Sequence, residues 1–390
     1  MYPHQADRLS AVLERRGLAA LVATMPVNIA YVTGFRSLTQ EVYATRQLAV
    51  FTARGTALVV PAVDLAAIVA DGIEVDHVTC FGGFVSSYAE TLGPAERRIQ
   101  ELADRRAPSP ADALAQALDA LGVGGGTLGL DEEHITPAAW QRLAARLSGM
   151  SLVAAAGDFG AARRVKGPYE IECLQRALGI AEEAANAVIQ TLKPGTTERE
   201  AAAIAETEVV KRGATPYGAI VAIGERAAIP APYPSDRVLR QGDLVRLDLG
   251  CVFKGYHGEV ARTAVPGEPD ARQGRAFRAI EAGLEAALDA IRPGTPAGRV
   301  FDVAVEATRA AGLPGYRRYH VGHGIGLEPY ERPKLMTGNA TPLEMGEVLR
   351  VETPYYEHGW SGLSVKETVL VTQSRGQVLN RSNRGLILLD

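Results

Sequence analysis

No stretch of this chain is apolar enough for long enough to span a bilayer, and its opening residues, MYPHQADRLSAVLERRGL, are polar and amphipathic with no apolar signal core. A membrane or secreted protein is therefore not expected, and a cytoplasmic one is. Cysteine is scarce: Cys80, Cys173 and Cys251 are an odd number without metal-knuckle spacing, which argues against a disulfide framework and reads each as a small buried hydrophobe. There is no run of Lys or Arg, and the net charge is only −4, so neither nucleic acid nor an anionic membrane surface is indicated as a partner. Low-complexity linkers are missing too. What remains is the balance of an ordinary globular protein, 47% hydrophobic and 22% charged, whose 390 residues suggest two domains and leave small molecules as the open ligand class.

The first part of the chain alternates helical and strand patterns. A helix over Asp7 to Arg16 stops at Gly17, LAALVAT reads as a buried strand, and QLAVFT and TALVVPA are two strands parted by a turn. Helices around Ala95 to Arg105 and Pro110 to Leu121 precede a strand in GGGTLGLD, giving an α/β domain. The texture changes near residues 158–163, where a long helical pattern begins that runs from Ile171 to Leu192, so the domains are placed at 1–160 and 161–390. The second domain mixes long helices (Glu198 to Arg212, Gln273 to Ile291) with hairpin strands, an α+β pattern. LKPGTTEREAA and IRPGTPAGRVFDVA each pass from one helix to the next through a PGT turn, a short echo that suggests an internal duplication.

LVRLDLGCVFKGYHGEVARTAV reads as a hairpin about a Lys254-Gly255 turn. That register sets Asp248 opposite Ala261 and makes Glu259 its diagonal neighbour on the same face. Acids that converge inside a domain need a cation, a shared proton or a basic side chain; on an exposed face they need nothing. VLRVETPYY and LSVKETVLVT then place Glu352 and Lys366 within apolar strands, which favours an interior cavity. HVGHGIGLEPYERP adds His323 and Tyr330; with no strand, glycine loop and helix in sequence, its glycines read as bending and close packing, not a phosphate cradle.

In order and spacing, Asp248, Glu259, His323, Glu352 and Lys366 resemble the five metal-ligand positions of the pita-bread family of prolidase, aminopeptidase P, methionine aminopeptidase and creatinase. NIAYVTGF, RRVKGPYEIECLQRA, GDLVRLDLG, GYHGEVART, GHGIGLE and VETPYY extend the resemblance over nearly the whole chain. It implies an α/β N-terminal domain and an α+β pita-bread catalytic domain. The family's peptidases carry Asp, Asp, His, Glu and Glu there and bind two divalent ions; here the second Asp is Glu259 and the last Glu is Lys366. An ammonium has no lone pair to offer a metal, and its repulsion of a dication about 4 Å away is on the order of 8 kcal/mol at an effective dielectric of about 20. Ala231 and Tyr330 also stand where the peptidases have histidines.

The expectation is a metal-independent, creatinase-like hydrolase or lyase that cleaves a C–N bond in a small nitrogenous metabolite, with no cofactor. A single divalent ion held by Glu259, His323 and Glu352 is the minor variant. Lys366 would keep Asp248, Glu259 and Glu352 ionised, the acids would grip a cationic substrate or activate water, His323 would shuttle a proton, and Tyr330 would donate to developing charge. Arg46, Tyr217, Tyr233 and Tyr355 are the expected substrate contacts; by resemblance Arg46 reaches a neighbouring subunit's site, which implies a homodimer with a shared active site. The alternatives are a metal-dependent Xaa-Pro aminopeptidase or prolidase, and an inactive binding protein on the same fold.

Overall fold

The computed structural model describes residues 1–389 as two compact units, divided between Arg163 and Arg164. The first unit runs α1 (Pro3–Arg16), β1 (Ala20–Ala23), α2 (Pro26–Thr33), α3 (Leu38–Tyr43), β2 (Leu48–Thr52), β3 (Gly55–Pro61), α4 (Leu65–Ala70), β4 (His77–Phe81), α5 (Pro94–Asp104), α6 (Pro110–Ala120), β5 (Gly126–Leu130), α7 (Pro137–Arg146), β6 (Met150–Ala154) and α8 (Ala156–Arg164), whose last residue, Arg164, belongs to the second unit. Its strands form one sheet in the order β4-β3-β2-β1-β5-β6. All residues of β1 and β2 are buried, as continuous apolar runs in the middle of a covered sheet should be. α6 lays Ala113, Leu114, Ala117 and Leu118, spaced three and four apart, on Val22, Val50, Val59 and Leu128. Pro110 opens that helix and the Ser109 hydroxyl caps it by accepting the Asp112 N–H. α1 starts earlier than its apolar pattern suggests because Pro3 supplies the first helical position.

The second unit continues with α9 (Pro168–Thr191), α10 (Glu198–Lys211), β7 (Thr215–Ile223), β8 (Val245–Phe253), β9 (Tyr256–Pro266), α11 (Ala271–Ala290), α12 (Ala297–Ala310), β10 (Gly322–Gly324), β11 (Glu331–Lys334), β12 (Val348–Glu352), β13 (Tyr355–Glu357), β14 (Ser361–Leu363), β15 (Lys366–Val371), β16 (Gly376–Val378) and β17 (Ile387–Leu389). Its main sheet is ordered β11-β10-β12-β15-β9-β8-β7, with β16 on β15 and β17 on β9; β13 and β14 pair separately. α9 and α10 cover the β7-β8-β9 end with Ala177, Ile180, Ala184 and Val188 against Leu247, Leu249 and Val260. α11 and α12 cover the other end with Ile280, Leu284, Val300 and Ala304 against Leu349, Val351 and Val369. Each buried Val, Leu or Ile side chain among these is worth roughly 1.5–3 kcal/mol of burial.

The PGT echo has a structural counterpart. Gly195 N–H donates to Leu239 O at 2.8 Å and Leu239 N–H returns to Thr196 O at 2.8 Å; Gly294 and Leu343 repeat the pair at 2.8 Å, with Leu343 N–H to Thr295 O at 2.9 Å. Each PGT turn thus fastens the start of its second helix to the chain in the same way.

Because strand side chains alternate, the residues between these apolar positions face away from the helices. Arg246 and Asp248 on β8, Glu259 and Ala261 on β9, Arg350 and Glu352 on β12, and Lys366 on β15 therefore share one face. No helix among the described residues is long and apolar enough to cross a membrane.

One acid outside this face sets a pH dependence. Glu347 is fully buried beside Arg164, and burial, only partly offset by that guanidinium, pushes its carboxyl up to about 7. A folded-state value above the unfolded one of about 4.3 means the folded protein holds this proton longer, so its contribution is complete below about pH 4 and is lost as pH rises through 7. Glu347→Gln should remove a stability decline of roughly 2–3 kcal/mol between pH 4.5 and 7.5. Denaturant titrations of both proteins at several pH values check this; parallel pH curves would refute it.

Candidate active site

A positive φ at Lys254 (50°) and Gly255 (89°) makes the β8-β9 connection the tight turn that matches strand twist. It fixes Asp248 opposite Ala261 and Gly250 opposite Glu259. Ala261 in turn pairs with Lys366, and Lys366 with Glu352. One row, Asp248-Ala261-Lys366-Glu352, thus crosses four strands. The small Ala261 side chain leaves the Lys366 stem room to pass over it, and Nζ donates to both Asp248 oxygens at 2.7 and 2.8 Å. The same ammonium lies 3.3 Å from Glu352 Oε2 and 3.7 Å from Glu259 Oε2.

A second row pairs His323 with Arg350. Arg350 is buried; its guanidinium forms an ion pair with Glu259, and Nη2 donates to His323 Nε2 at 2.6 Å. His323 Nδ1 donates to Gly324 O at 2.8 Å, which fixes a neutral imidazole with its free lone pair already engaged. Burial takes the His323 pKa down to about 4, against the pull of Glu352. The sequence-derived role of His323 as a proton shuttle near neutral pH is therefore corrected: both ring nitrogens are committed and the ring stays uncharged. Its strand is held close by glycines, since a Cβ on Gly322 would lie 2.2 Å from Arg350 O and one on Gly324 would lie 2.4 Å from Arg332 O.

Glu352 is completed by Arg318, whose Nη2 donates at 3.2 Å. Burial alone would raise its carboxyl, but Lys366, Arg350 and Arg318 hold it well below the usual carboxylate range. Tyr330 forms the outer lip. It is 50% exposed, stacks on His323 with centroids 3.7 Å apart, and lies under the Arg350 guanidinium at 4.9 Å. Partial burial and the Glu352 charge raise its phenol pKa, so it remains a proton donor.

The expected substrate contacts fare differently. Arg46 is exposed in the first unit, beside a cavity of about 530 Å³ that Gln47, His134 and Arg142 also line. Tyr217 sits edge-on to His257 at 4.9 Å, and Tyr233 is 94% exposed in a loop. Tyr355 is turned away: its hydroxyl donates to Glu357 at 2.8 Å and its ring faces Trp360. The tyrosine at the cluster is instead Tyr356, one residue along and hence on the other face of β13, with its ring under Arg246 at 5.2 Å and Arg318 at 5.7 Å. Arg246, Arg318, Arg350 and His320 also belong to the site. No local pattern singles out Arg318 or His320, whereas Arg246 and Arg350 each precede an acid of the cluster by two residues on the same strand.

As placed, the five positions do not fit a pair of dications. The ammonium occupies the space between Asp248 and Glu352, and the guanidinium covers Glu259 and the His323 lone pair. The expected single-ion set of Glu259, His323 and Glu352 fails on the same ground: among the described residues no three His, Cys, Asp or Glu side chains converge to hold a metal.

The Metallopeptidase family M24 model matches residues 172–373, and the Creatinase/Prolidase N-terminal domain model matches residues 5–165. A probable dipeptidase PepE of Mycobacterium bovis is 30% identical over 100% of this chain and 97% of its own length. An Xaa-Pro dipeptidase of Pyrococcus furiosus is 32% identical over 58% of this chain and 65% of its own length. The crystal structure of dipeptidase PepE from Mycobacterium ulcerans superposes with a TM-score of 0.78 at 27% identity, covering 99% of this chain and 97% of that one. These matches correct two expectations, the metal-independent creatinase-like reaction and the absence of a cofactor: the matching catalytic family is one of metallopeptidases, and the similar proteins are named dipeptidases. Replaced ligand positions, Glu259 and Lys366, do not by themselves define a reaction, which belongs to the whole site. By the family model that spans its second unit, the chain belongs to metallopeptidase family M24, with an N-terminal domain of the creatinase/prolidase type.

Proposed function

We propose that this protein is a dipeptidase-type hydrolase that cleaves the amide C–N bond of short peptides at the Asp248, Lys366, Tyr330 cluster. The observation that carries this reading is the whole-chain similarity to a probable dipeptidase, 30% identical end to end. Hydrolysis adds water across the bond, giving a carboxylate and an amine, and needs a proton acceptor for the water and a donor for the carbonyl oxygen. Glu259 is covered by Arg350, and Glu352 is held by three cations, which makes both poor bases. Asp248 is the most accessible of the three acids and takes the water proton, while Lys366 turns to Glu352, already 3.3 Å from Nζ. Tyr330 hydrogen-bonds to the carbonyl oxygen as it gains negative charge, and Asp248 passes the proton it took from water to the nitrogen of the breaking C–N bond, so that the amine leaves protonated.

The test is release of free amino acids from a panel of dipeptides, Xaa-Pro members included, with the purified protein supplied separately with manganese, cobalt and zinc. Hydrolysis of at least one dipeptide, lost in Asp248→Asn, is the expected result. A folded protein that cleaves none of them under any condition overturns the proposal.

A further inference from the structure

A cavity of about 530 Å³, a volume that suits a small molecule, opens at one end of the first unit's sheet. Topology puts it there. β1 and β5 lie side by side and parallel, and their chains leave in opposite directions, β1 through α2 to β2 on one flank and β5 through α7 to β6 on the other. That divergence leaves a crevice beyond the carboxyl ends of the two strands, the place where open α/β sheets bind ligands. Thr24 directly follows β1, Leu48 begins the antiparallel β2 at the same end, and His134 and Ile135 lie just past β5. Every lining residue belongs to the first unit, so the site does not rest on the hydrolase reading.

Much of the lining is apolar. Ala139 and Leu143 come from one face of α7, four residues apart, and Pro26, Leu48, Ala111 and Ile135 join them. Arg142 on the same helix and Arg46 just before β2 add two guanidiniums, and no Asp or Glu lines the cavity. Neither guanidinium has an ion-pair or hydrogen-bond partner among the described residues, whereas the next arginine of α7, Arg146, pairs with Asp112. Two unpaired charges of one sign beside apolar walls favour an anion.

Gln47 adds an independent demand. It lines the cavity yet is only 1% exposed, and its Nε2 donates to Ser37 Oγ at 3.0 Å, Thr45 Oγ1 at 2.9 Å and Asp64 Oδ2 at 2.7 Å. Because a carboxylate only accepts, the amide cannot be turned round, and its buried Oε1 is left without a donor. Such an acceptor is unfavourable until an O–H or N–H reaches it.

We propose that this cavity binds a small carboxylate with a branched apolar body and a hydroxyl or N–H beside the acid group. The charge meets Arg46 and Arg142, the donor meets Gln47 Oε1, and the body lies against Leu48, Ile135 and Leu143. Inorganic phosphate would satisfy the guanidiniums but offers the apolar walls nothing.

2-Hydroxy-4-methylpentanoate has all three features and no peptide-type C–N bond to cleave, so it serves as the probe. Calorimetric titration of the whole chain should give one site, with binding at least about tenfold tighter than that of its primary amide, which lacks the charge, or of lactate, which lacks the branched body. 4-Methylpentanoate, without the hydroxyl, should bind at least about fivefold more weakly than the probe. Arg46→Met and Arg142→Met replace exposed side chains, which leaves the fold intact, and each should weaken the probe by about tenfold or more. Absence of binding, equal binding of acid and amide, or an affinity unchanged in both variants overturns the proposal. Phosphate binding as tightly as the probe overturns it too, because the apolar walls would then contribute nothing.

Discussion

Arg350→Met is expected to destabilise the second unit by about 3–5 kcal/mol, one of the largest losses any single substitution in this chain should produce. The guanidinium is buried between Glu259 and His323 Nε2. Methionine of similar length fills the volume but leaves Glu259 buried with only Lys366, 3.7 Å away and engaged with Asp248. An uncompensated buried carboxylate either pays its desolvation or takes up a proton, so the loss should be greatest above pH 7 and shrink in acid. Guanidinium-induced unfolding followed by circular dichroism measures it. Pairing the substitution with Glu259→Gln should restore much of the loss, since a neutral amide no longer needs the cation. A loss below about 1 kcal/mol for Arg350→Met alone would show that the ion pair is not holding Glu259.

Tyr330→Phe should lower kcat by about a hundredfold to a thousandfold, the usual consequence of losing one donor to a developing oxyanion. Its stability should barely change. The ring is half exposed, and the stack on His323 and the contact with Arg350 need only the aromatic face, which phenylalanine keeps. KM should move little, because the hydroxyl acts on charge that appears only as the bond breaks. Steady-state kinetics on a dipeptide that the wild type cleaves gives both numbers, and an unaltered kcat would remove Tyr330 from the chemistry.

Much of this architecture follows from local pattern. The Lys254-Gly255 turn and strict alternation on either side of it are enough to pair Asp248 with Ala261, and the structure has that register. The helices from Pro168 and Ala271 are legible because apolar residues recur at three and four and a proline or glycine follows. The site was legible in part. Its acids and Lys366 stand out as charges within apolar strands, but so do Arg246 and Arg350, and these are what set the state of the acids. Tyr355 and Tyr356 are adjacent and identical, and only the strand phase, which a three-residue strand hides, decides which one faces the cluster. The pairing of His323 with Arg350 depends on contacts across strands that are distant in sequence, so no local pattern reveals that its lone pair is taken.

Side-chain cations compensate the three carboxylates, and the Lys366-Asp248 pair is the centre of that compensation. A double-mutant cycle with Lys366→Met, Asp248→Asn and the combined protein, read from denaturant unfolding at neutral pH, tests it most directly. A coupling of at least about 2 kcal/mol, with the double mutant more stable than the sum of the single losses allows, is the predicted result. Additive losses within about 0.5 kcal/mol would contradict it.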